Sequence, residues 1–220
     1  MRQKVKEKIE PRKPIAIVRL ADIGQAAEMS DALLEGGITV LEFTLTNPSA
    51  LEAIARVRRE FSEELLVGTG TVPDAGAAEA SIQAGAAFLV TPALLPEVIM
   101  VGRERGVPVV CGAYTPTEIL TAWRSGADLV KVFPAGGLGP TYIRDVLAPL
   151  PDIPLVPTGG VNLDNCAAFL TAGAYTVAIG SNLVNQEIVH KQDWADLSAL
   201  ARRYVEACTL KRKFPQQGFC

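Results

Sequence analysis

The sequence predicts an α/β fold, a single-domain (β/α)8 TIM barrel with an extra N-terminal helix. The first observation behind this prediction is a repeat of roughly 20 to 25 residues, the length of one strand and one helix. The second is the start of each unit, where a small residue and a glycine precede an apolar run, as in "EGGITVLEFTL", "QAGAAFLVTP" and "RSGADLVKVFP". The runs are almost continuously apolar, which is typical of parallel strands covered on both faces.

Eight such runs occur, and eight alternating β and α units favour a closed barrel. The predicted strands are Ile15–Arg19, Val40–Leu45, Leu65–Gly68, Phe88–Thr91, Val107–Cys111, Leu129–Phe133, Leu155–Thr158 and Val177–Gly180. An open doubly wound sheet is the alternative. Its G-x-G-x-x-G fingerprint is absent, since "GTGTVPDAG" lacks the third glycine at the required spacing.

Helices are predicted between the strands, for example over Asp22–Glu35, Ser49–Glu60, Asp74–Ala84 and Asn162–Ala172. The candidate N-caps are Asp22, Asn47 before Pro48, Thr115 before Pro116, and Asn162. The charged segment 1–13 predicts the extra helix, and the polar tail 209–220 is expected to be loose. No linker divides the chain, so one domain over 1–220 is expected.

Composition excludes several function classes. The 220 residues are 49% hydrophobic and 20% charged, and the net charge is −3. The chain therefore lacks the overall excess of positive charge that is typical of nucleic-acid-binding proteins. No apolar run is long enough to cross a membrane, and the N-terminus lacks the apolar core of a secretory signal. A cytoplasmic protein is therefore expected. The cysteines Cys111, Cys166, Cys208 and Cys220 are widely spaced and predict free thiols, and a single histidine argues against a metal site.

Two charged residues interrupt strands that are otherwise apolar. Lys131 lies within "DLVKVFP" and Glu42 within "VLEFTL". Burying either charge is costly unless it is paired or neutralised. A buried ion pair that stabilises the barrel is one interpretation, and such pairs are weak indicators of function. The other is a desolvated lysine that loses its proton readily and attacks a ketone, with Phe133 and Pro134 keeping its surroundings dry.

In a barrel the carboxyl ends of the strands face one pocket, where chemistry is expected. The residues at those ends are Arg19, Glu42, Thr71, Pro92, Lys131, Thr158 and Ser181. The last two strands are followed by "PTGGVNLDN" and "AIGSNL", which place glycine or serine backbone before a helix. Unpaired N–H groups and a helix dipole at such a place attract phosphate, although glycine turns are common in any α/β protein.

The motifs together resemble a known family. "VLEFTLTNP", "GTGTV", "VTPALLPEV", "GAYTPTE", "LVKVFPAGGLGPTYI", "VPTGGV" and "AIGSNLV" are similar to class I aldolases that cleave 2-keto-3-deoxy-6-phosphogluconate (KDPG) or its galactonate epimer. The resemblance runs from about Pro14 to Val184. It implies a homotrimeric barrel of the Entner–Doudoroff pathway that needs no metal or other cofactor and yields pyruvate and glyceraldehyde 3-phosphate.

The resemblance also implies roles for individual residues. Lys131 matches the Schiff-base lysine and Glu42 the general acid/base, which acts through a water. Thr71 matches the residue that holds the pyruvyl carboxylate, and Thr158 one that contacts the substrate near that end. The remaining matches are the apolar walls Pro92 and Phe133, and the phosphate cradle of Gly159, Gly160, Gly180 and Ser181.

One position departs from the gluconate-type pattern. Members of that branch often carry a carboxylate-binding arginine where this chain has Thr46. Arg19, at the end of the first predicted strand, resembles the galactonate-type members instead, and its guanidinium suits a bidentate carboxylate contact. The epimer therefore stays open. Two other functions also remain open. One is cleavage of an unphosphorylated keto acid such as 4-hydroxy-2-oxoglutarate, and the other is a non-catalytic barrel that binds a phosphosugar.

Overall fold

The structure is a computed structural model that describes residues 2–62 and 64–209, with the side chains of residues 4–6 excluded. The strands are β1 Ile15–Val18, β2 Val40–Thr44, β3 Leu66–Gly70, β4 Leu89–Val90, β5 Val109–Ala113, β6 Leu129–Val132, β7 Leu155–Pro157 and β8 Ala178–Ile179. The helices are α1 Arg2–Lys8, α2 Ala26–Glu35, α3 Ala50–Phe61, α4 Ala75–Gln83, α5 Pro96–Arg105, α6 Pro116–Arg124, α7 Gly139–Leu147, α8 Cys166–Thr171, α9 Gln186–Lys191 and α10 Trp194–Thr209.

The strands form one parallel sheet in the order β7-β6-β5-β4-β3-β2-β1-β8. A parallel bridge between Thr158 and Ala178 joins its two end strands, so the sheet curls into a barrel. The predicted (β/α)8 fold is confirmed, including all eight strands and the extra helix α1. Residues 210–220 of the tail predicted to be loose lie outside the described residues, and Thr209 is the last residue of α10.

Two apolar layers explain why this chain closes into a barrel. Alternate strand residues point inward and fill the lumen with Ile15, Ile17, Val40, Leu66, Phe88, Val90, Val110, Leu129, Val156 and Ala178. The other strand residues pack outward against the helices in a second, larger cluster. Ile9 seals the lumen at the amino ends of the strands, where its carbonyl accepts a hydrogen bond from the Tyr175 hydroxyl at 2.8 Å. The opposite end of the lumen stays open.

Several predicted element boundaries are wrong, and local hydrogen bonds explain two of them. Asp22 and Asn162 are not the cap residues, which are Gln25 for α2 and Asn165 for α8. The Asp22 carboxylate accepts from Gly24 N, and the Asn162 amide oxygen accepts from Asp164 N and Asn165 N, so both side chains close turns ahead of their helices. Helices α2 and α8 therefore begin four residues later than predicted, at Ala26 and Cys166.

Asn47 also makes a turn contact, to the Ser49 N–H, and Ser49 is the cap residue of α3. The Thr115 prediction is confirmed by a complete capping box with Glu118. Strand β3 extends to Gly70, beyond the predicted end at Gly68, because Gly70 still pairs with Thr44 of β2.

Candidate active site

An open cavity of about 230 Å³ lies at the carboxyl ends of the strands. It is lined by residues from loops and strands around the barrel: Ile17, Arg19, Glu42, Thr44, Thr46, Thr71, Pro92, Lys131, Phe133, Thr158, Gly159, Gly160, Val161, Gly180, Ser181 and Asn182. Every residue that the sequence analysis placed in the site is among them. The barrel thus brings together residues that are up to 165 positions apart in the chain, from Ile17 to Asn182.

Lys131 reaches the cavity from inside the barrel wall. It lies on β6 between Gly112 of β5 and Val156 of β7, and only 7% of its surface is exposed. Its Nζ stands 5.1 Å from the ring centroid of Phe133, which forms part of the cavity wall. No residue with a side chain occupies the β5 position next to it, because that position is Gly112. The amine is therefore held in a confined, largely apolar place with its tip facing the cavity.

Glu42 occupies the matching place on β2, between Ile17 of β1 and Gly68 of β3. It is 2% exposed, and burial raises the pKa of its carboxyl above the ordinary value of 4.5, an effect that the nearby positive charge of Lys131 partly offsets. Its Oε1 is buried without a hydrogen-bond partner from the described residues. A buried carboxylate oxygen in that state favours contact with a group from outside the chain.

Lys131 and Glu42 are four strands apart in an eight-stranded barrel, so they face each other across the lumen. No ion pair within 4.0 Å joins the two side chains among the contacts of residues 2–62 and 64–209. The space between them belongs to the cavity that both residues line. This geometry favours a site that receives a molecule between amine and carboxylate over a direct ion pair that stabilises the barrel.

Polar groups from the first three strands form one side of the cavity mouth. Arg19 directly follows β1 and is exposed there. Thr44 ends β2, and its Oγ1 lies 2.8 Å from Oγ1 of Thr46. Thr71 follows β3 in the left-handed backbone region at a φ of 59°, a costly conformation for a β-branched residue that points to a functional constraint. This side offers one guanidinium and several hydroxyls to a polar or anionic group.

Two close backbone approaches shape the apolar walls. A Cβ on Gly112 would lie 2.6 Å from the backbone carbon of Pro92, so only glycine lets Pro92 come so close to β5. A Cβ on Gly159 would lie 3.0 Å from the Phe133 ring, and Gly159 has a φ of +81°. Pro92 and Phe133 therefore narrow the cavity around the Lys131 amine.

The loops after β7 and β8 present backbone N–H groups. Gly159 and Gly160 both have positive φ angles, of 81° and 78°. The carbonyl of Gly159 accepts from Gly136 N at 2.8 Å, and the carbonyl of Gly160 accepts from Asn165 Nδ2 at 2.9 Å. Because α8 and α9 begin several residues beyond these loops, an anion here would be bound by loop N–H groups more than by a helix terminus.

A family model described as "Aldolase: KDPG and KHG aldolase" matches residues 5–200. The chain belongs to the KDPG and KHG aldolase family. A relative from Pseudomonas aeruginosa, named 2-dehydro-3-deoxy-phosphogluconate aldolase, is 37% identical over 87% of this chain and 86% of its own length. One from Escherichia coli, named 2-dehydro-3-deoxy-6-phosphogalactonate aldolase, is 31% identical over 88% of this chain and 95% of its own.

A solved structure of a KDPG and KHG aldolase relative bears on the chemistry. It is described as KDPG aldolase from Legionella pneumophila "with pyruvate captured at low pH as a covalent carbinolamine intermediate". The two chains superpose with a TM-score of 0.83 at 26% identity, over 90% of this chain and 96% of that one. This chain is thus an aldolase, a carbon–carbon lyase, by membership of its family.

The sequence analysis missed four cavity residues and named Thr46 only as a departure. Ile17 and Thr44 could have been found from strand alternation, because they share the inward-facing parity of Ile15 and Glu42. Val161 and Asn182 have no such signal, since they lie in irregular loops. Within the described part of the chain, no cluster of three or more potential metal-ligating side chains is found, and no helix is long and apolar enough to span a membrane.

Proposed function

We propose that this KDPG and KHG aldolase family member is a class I aldolase that cleaves KDPG or its galactonate epimer into pyruvate and glyceraldehyde 3-phosphate. The observation that carries the proposal is the cavity between Lys131 and Glu42, two buried ionisable groups that face each other without a direct ion pair. An amine and a carboxylate in that relationship suit covalent catalysis with proton transfer.

The first half of the reaction belongs to Lys131. Its neutral amine adds to the C2 ketone of the substrate and gives a carbinolamine. Loss of water from that adduct leaves a protonated Schiff base, which draws electrons from the neighbouring C3–C4 bond. The confined position beside Phe133 supports this step, because it keeps competing water away from the amine.

The second half needs a base and then an acid, and Glu42 serves as both. Its carboxylate takes the proton of the C4 hydroxyl through a water, the C3–C4 bond breaks, and glyceraldehyde 3-phosphate leaves. The bonding electrons remain as an enamine of pyruvate on Lys131. Glu42 returns a proton to C3, and water hydrolyses the Schiff base to release pyruvate and the free lysine. The buried Oε1 of Glu42, which has no hydrogen-bond partner among the residues that the structure describes, supports this role.

The two ends of the substrate have complementary partners in the cavity. Arg19 and Thr71 would hold the carboxylate, with Thr158 near the pyruvyl end and Pro92 and Phe133 against the apolar chain. Gly159, Gly160, Gly180 and Ser181 would cradle the phosphate at the other end. Binding the phosphate far from the breaking bond orients the substrate for cleavage.

Relatives with gluconate and galactonate names both resemble this chain, so both epimers are proposed substrates. Cleavage of unphosphorylated 4-hydroxy-2-oxoglutarate is the alternative; the family description includes KHG, but the relatives named for phosphorylated substrates do not favour it. The glycine loops after β7 and β8 favour the phosphorylated compounds, because several loop N–H groups suit the oxygens of a phosphate on C6, whereas the far anion of 4-hydroxy-2-oxoglutarate is a carboxylate at C5 that reaches less far. A coupled pyruvate assay over these three compounds ranks them by kcat/KM.

The decisive test is trapping. The protein is incubated with pyruvate and reduced with borohydride, and its mass is measured by mass spectrometry. A reduced Schiff base adds the mass of pyruvic acid less one oxygen. We expect the adduct on Lys131 and none in Lys131→Met. Lys191→Met, which removes an exposed lysine paired with Glu187, is the control and should trap normally. An adduct on another lysine, or none in the unmodified protein, would refute the mechanism.

A homotrimer in the cytoplasm completes the proposal. The trimer follows from the family resemblance, and light scattering should give three times the chain mass of 23.4 kDa. Cys111, Cys166 and Cys208 are buried free thiols, which supports a reducing compartment, while Cys220 lies outside the described residues. A monomeric mass would contradict the assembly.

A further inference from the structure

Asn182 joins the two glycine loops of the cavity mouth. Its side-chain Nδ2 donates to the carbonyl of Val161 at 2.8 Å and so connects the loop after β8 to the loop after β7. Its own backbone carbonyl accepts from the Tyr204 hydroxyl of α10 at 3.2 Å. Tyr204 is 2% exposed and packs in the outer core, so this support comes from a fixed part of the fold.

Peptide geometry determines which way the N–H groups of the loop after β7 point. In a trans peptide, a carbonyl and the N–H of the next residue point in opposite directions. The carbonyls of Gly159, Gly160 and Val161 each accept a hydrogen bond from the protein. The N–H groups of Gly160 and Val161 are turned the other way, and neither has a partner among the described residues.

The loop after β8 presents a similar pair. The N–H groups of Ser181 and Asn182 have no partner within residues 2–62 and 64–209, whereas Leu183 and Val184 both donate to the Gly180 carbonyl. Four unpartnered N–H groups therefore stand on two loops that contact the same cavity. Their relative placement depends on what holds the loops together.

We infer that Asn182 is a positioning residue for the anion cradle. Its side chain keeps the Val161 carbonyl away from the ligand and fixes the spacing between the two pairs of N–H groups, and Tyr204 secures it from α10. The ligand class is a phosphate monoester dianion. The inference rests on the proposed function, whose phosphorylated substrate supplies that group.

Two variants test this role by different routes. Asn182→Ala removes the link between the loops. Tyr204→Phe removes the hydroxyl that donates to the Asn182 carbonyl and also bonds to the backbone of Leu163, so it alters the support of both loops without touching the ligand. Tyr175→Phe is the matched control, because its hydroxyl bonds to the Ile9 carbonyl at the opposite end of the barrel.

We expect KM for the phosphorylated keto acid to rise about tenfold in Asn182→Ala, the effect of losing one well-placed hydrogen bond. Tyr204→Phe should raise it by a smaller factor, and Tyr175→Phe should not change it. The pyruvate concentration that half-saturates borohydride trapping should stay constant in all three, because pyruvate carries no phosphate. Competitive inhibition by inorganic phosphate should weaken in parallel with KM.

An unchanged KM in both Asn182→Ala and Tyr204→Phe would overturn the inference. So would an equal loss of pyruvate trapping, which would mean general damage to the barrel. If Asn182→Ala does not fold, the KM of Tyr204→Phe alone decides whether the inference holds. A wild-type protein that cleaves neither phosphorylated epimer contradicts the proposed function itself, and the inference fails with it. If the wild-type protein cleaves the phosphorylated epimers but KM is unchanged in Asn182→Ala and Tyr204→Phe, only the inference about Asn182 is contradicted.

Discussion

Gly70 leaves the space that the Glu42 carboxylate occupies. A Cβ built on Gly70 would lie 2.7 Å from Oε1 of Glu42 and 2.9 Å from its Cδ. Gly70 ends β3 and pairs with Thr44, two residues after Glu42 on the neighbouring strand. The position of the proposed acid/base therefore depends on a missing side chain on the next strand.

Gly70→Ala should displace Glu42 without unfolding the barrel. A shift of about 1 Å in a catalytic group costs on the order of 100-fold in rate, so kcat for cleavage should fall by about that factor. Gly137→Ala is the control, because a Cβ there meets no atom of the described part of the chain within 4 Å. Steady-state kinetics and thermal melts on both variants check the prediction. Full turnover in Gly70→Ala would mean that Glu42 tolerates displacement.

Glu42→Gln should lose most turnover and gain stability at neutral pH. Burial raises the pKa of Glu42 in the folded protein, so the folded state loses stability as the pH rises from about 4.5, where the unfolded carboxyl ionises, up to the folded-state pKa, above which the penalty is constant. Glutamine carries no such penalty. The stability advantage of the variant should shrink as the pH falls through the folded-state pKa towards 4.5.

Urea unfolding of the wild type and Glu42→Gln from neutral to acidic pH measures that difference. Glu60→Gln, an exposed carboxylate on α3, serves as the control for a generic loss of charge. An advantage for Glu42→Gln that grows on acidification would have the wrong sign and would contradict the burial effect.

Ser181→Asp should raise KM for the phosphorylated keto acid by at least about tenfold. A carboxylate in the proposed cradle repels the phosphate, and like charges at such close range cost on the order of 1 kcal/mol or more. Pyruvate trapping on Lys131 should be unaffected, since pyruvate carries no phosphate. The reaction is followed by coupled pyruvate release. An unchanged KM would place the phosphate elsewhere.

Arg19→Gln should weaken pyruvate binding about 10- to 100-fold, the range for losing a hydrogen bond to a charged group. Adding Thr46→Arg should recover part of this affinity, because Thr46 is exposed at the same cavity mouth. Half-saturating pyruvate in the trapping reaction is the readout for both variants. Normal pyruvate affinity in Arg19→Gln would leave Thr71 as the main carboxylate partner.

Arg2→Ala should destabilise the barrel from its closed end. Arg2 donates to the Asp128 carboxylate at 2.7 Å and to the Gly126 carbonyl at 2.8 Å, and Asp128 also accepts from Val109 N. Losing these part-buried contacts should cost about 1 to 3 kcal/mol of unfolding free energy. Arg105→Ala, in an exposed pair with Glu79, should cost about 0 to 1 kcal/mol. Chemical denaturation compares the two variants.

The sequence alone determined the barrel and the residues at its open end. Apolar runs, glycine punctuation and repeat length are local properties, so eight strands could be counted without coordinates. Lys131 and Glu42 stood out because a charge inside an apolar strand is costly wherever the strand lies. The motif resemblance then supplied roles for residues such as Thr71 and Ser181, which carry no such local signal.

Only the tertiary structure decided how these groups meet. The separation of Lys131 and Glu42 across the lumen, the space that Gly70 leaves for Glu42 and the link from Asn182 to Val161 all depend on sheet closure. Even the N-cap predictions at Asp22 and Asn162 failed because short side chains can close a turn or a helix equally well. Sequence patterns encode which face a residue occupies, whereas distances between strands that are far apart in the chain are fixed by packing of the whole barrel.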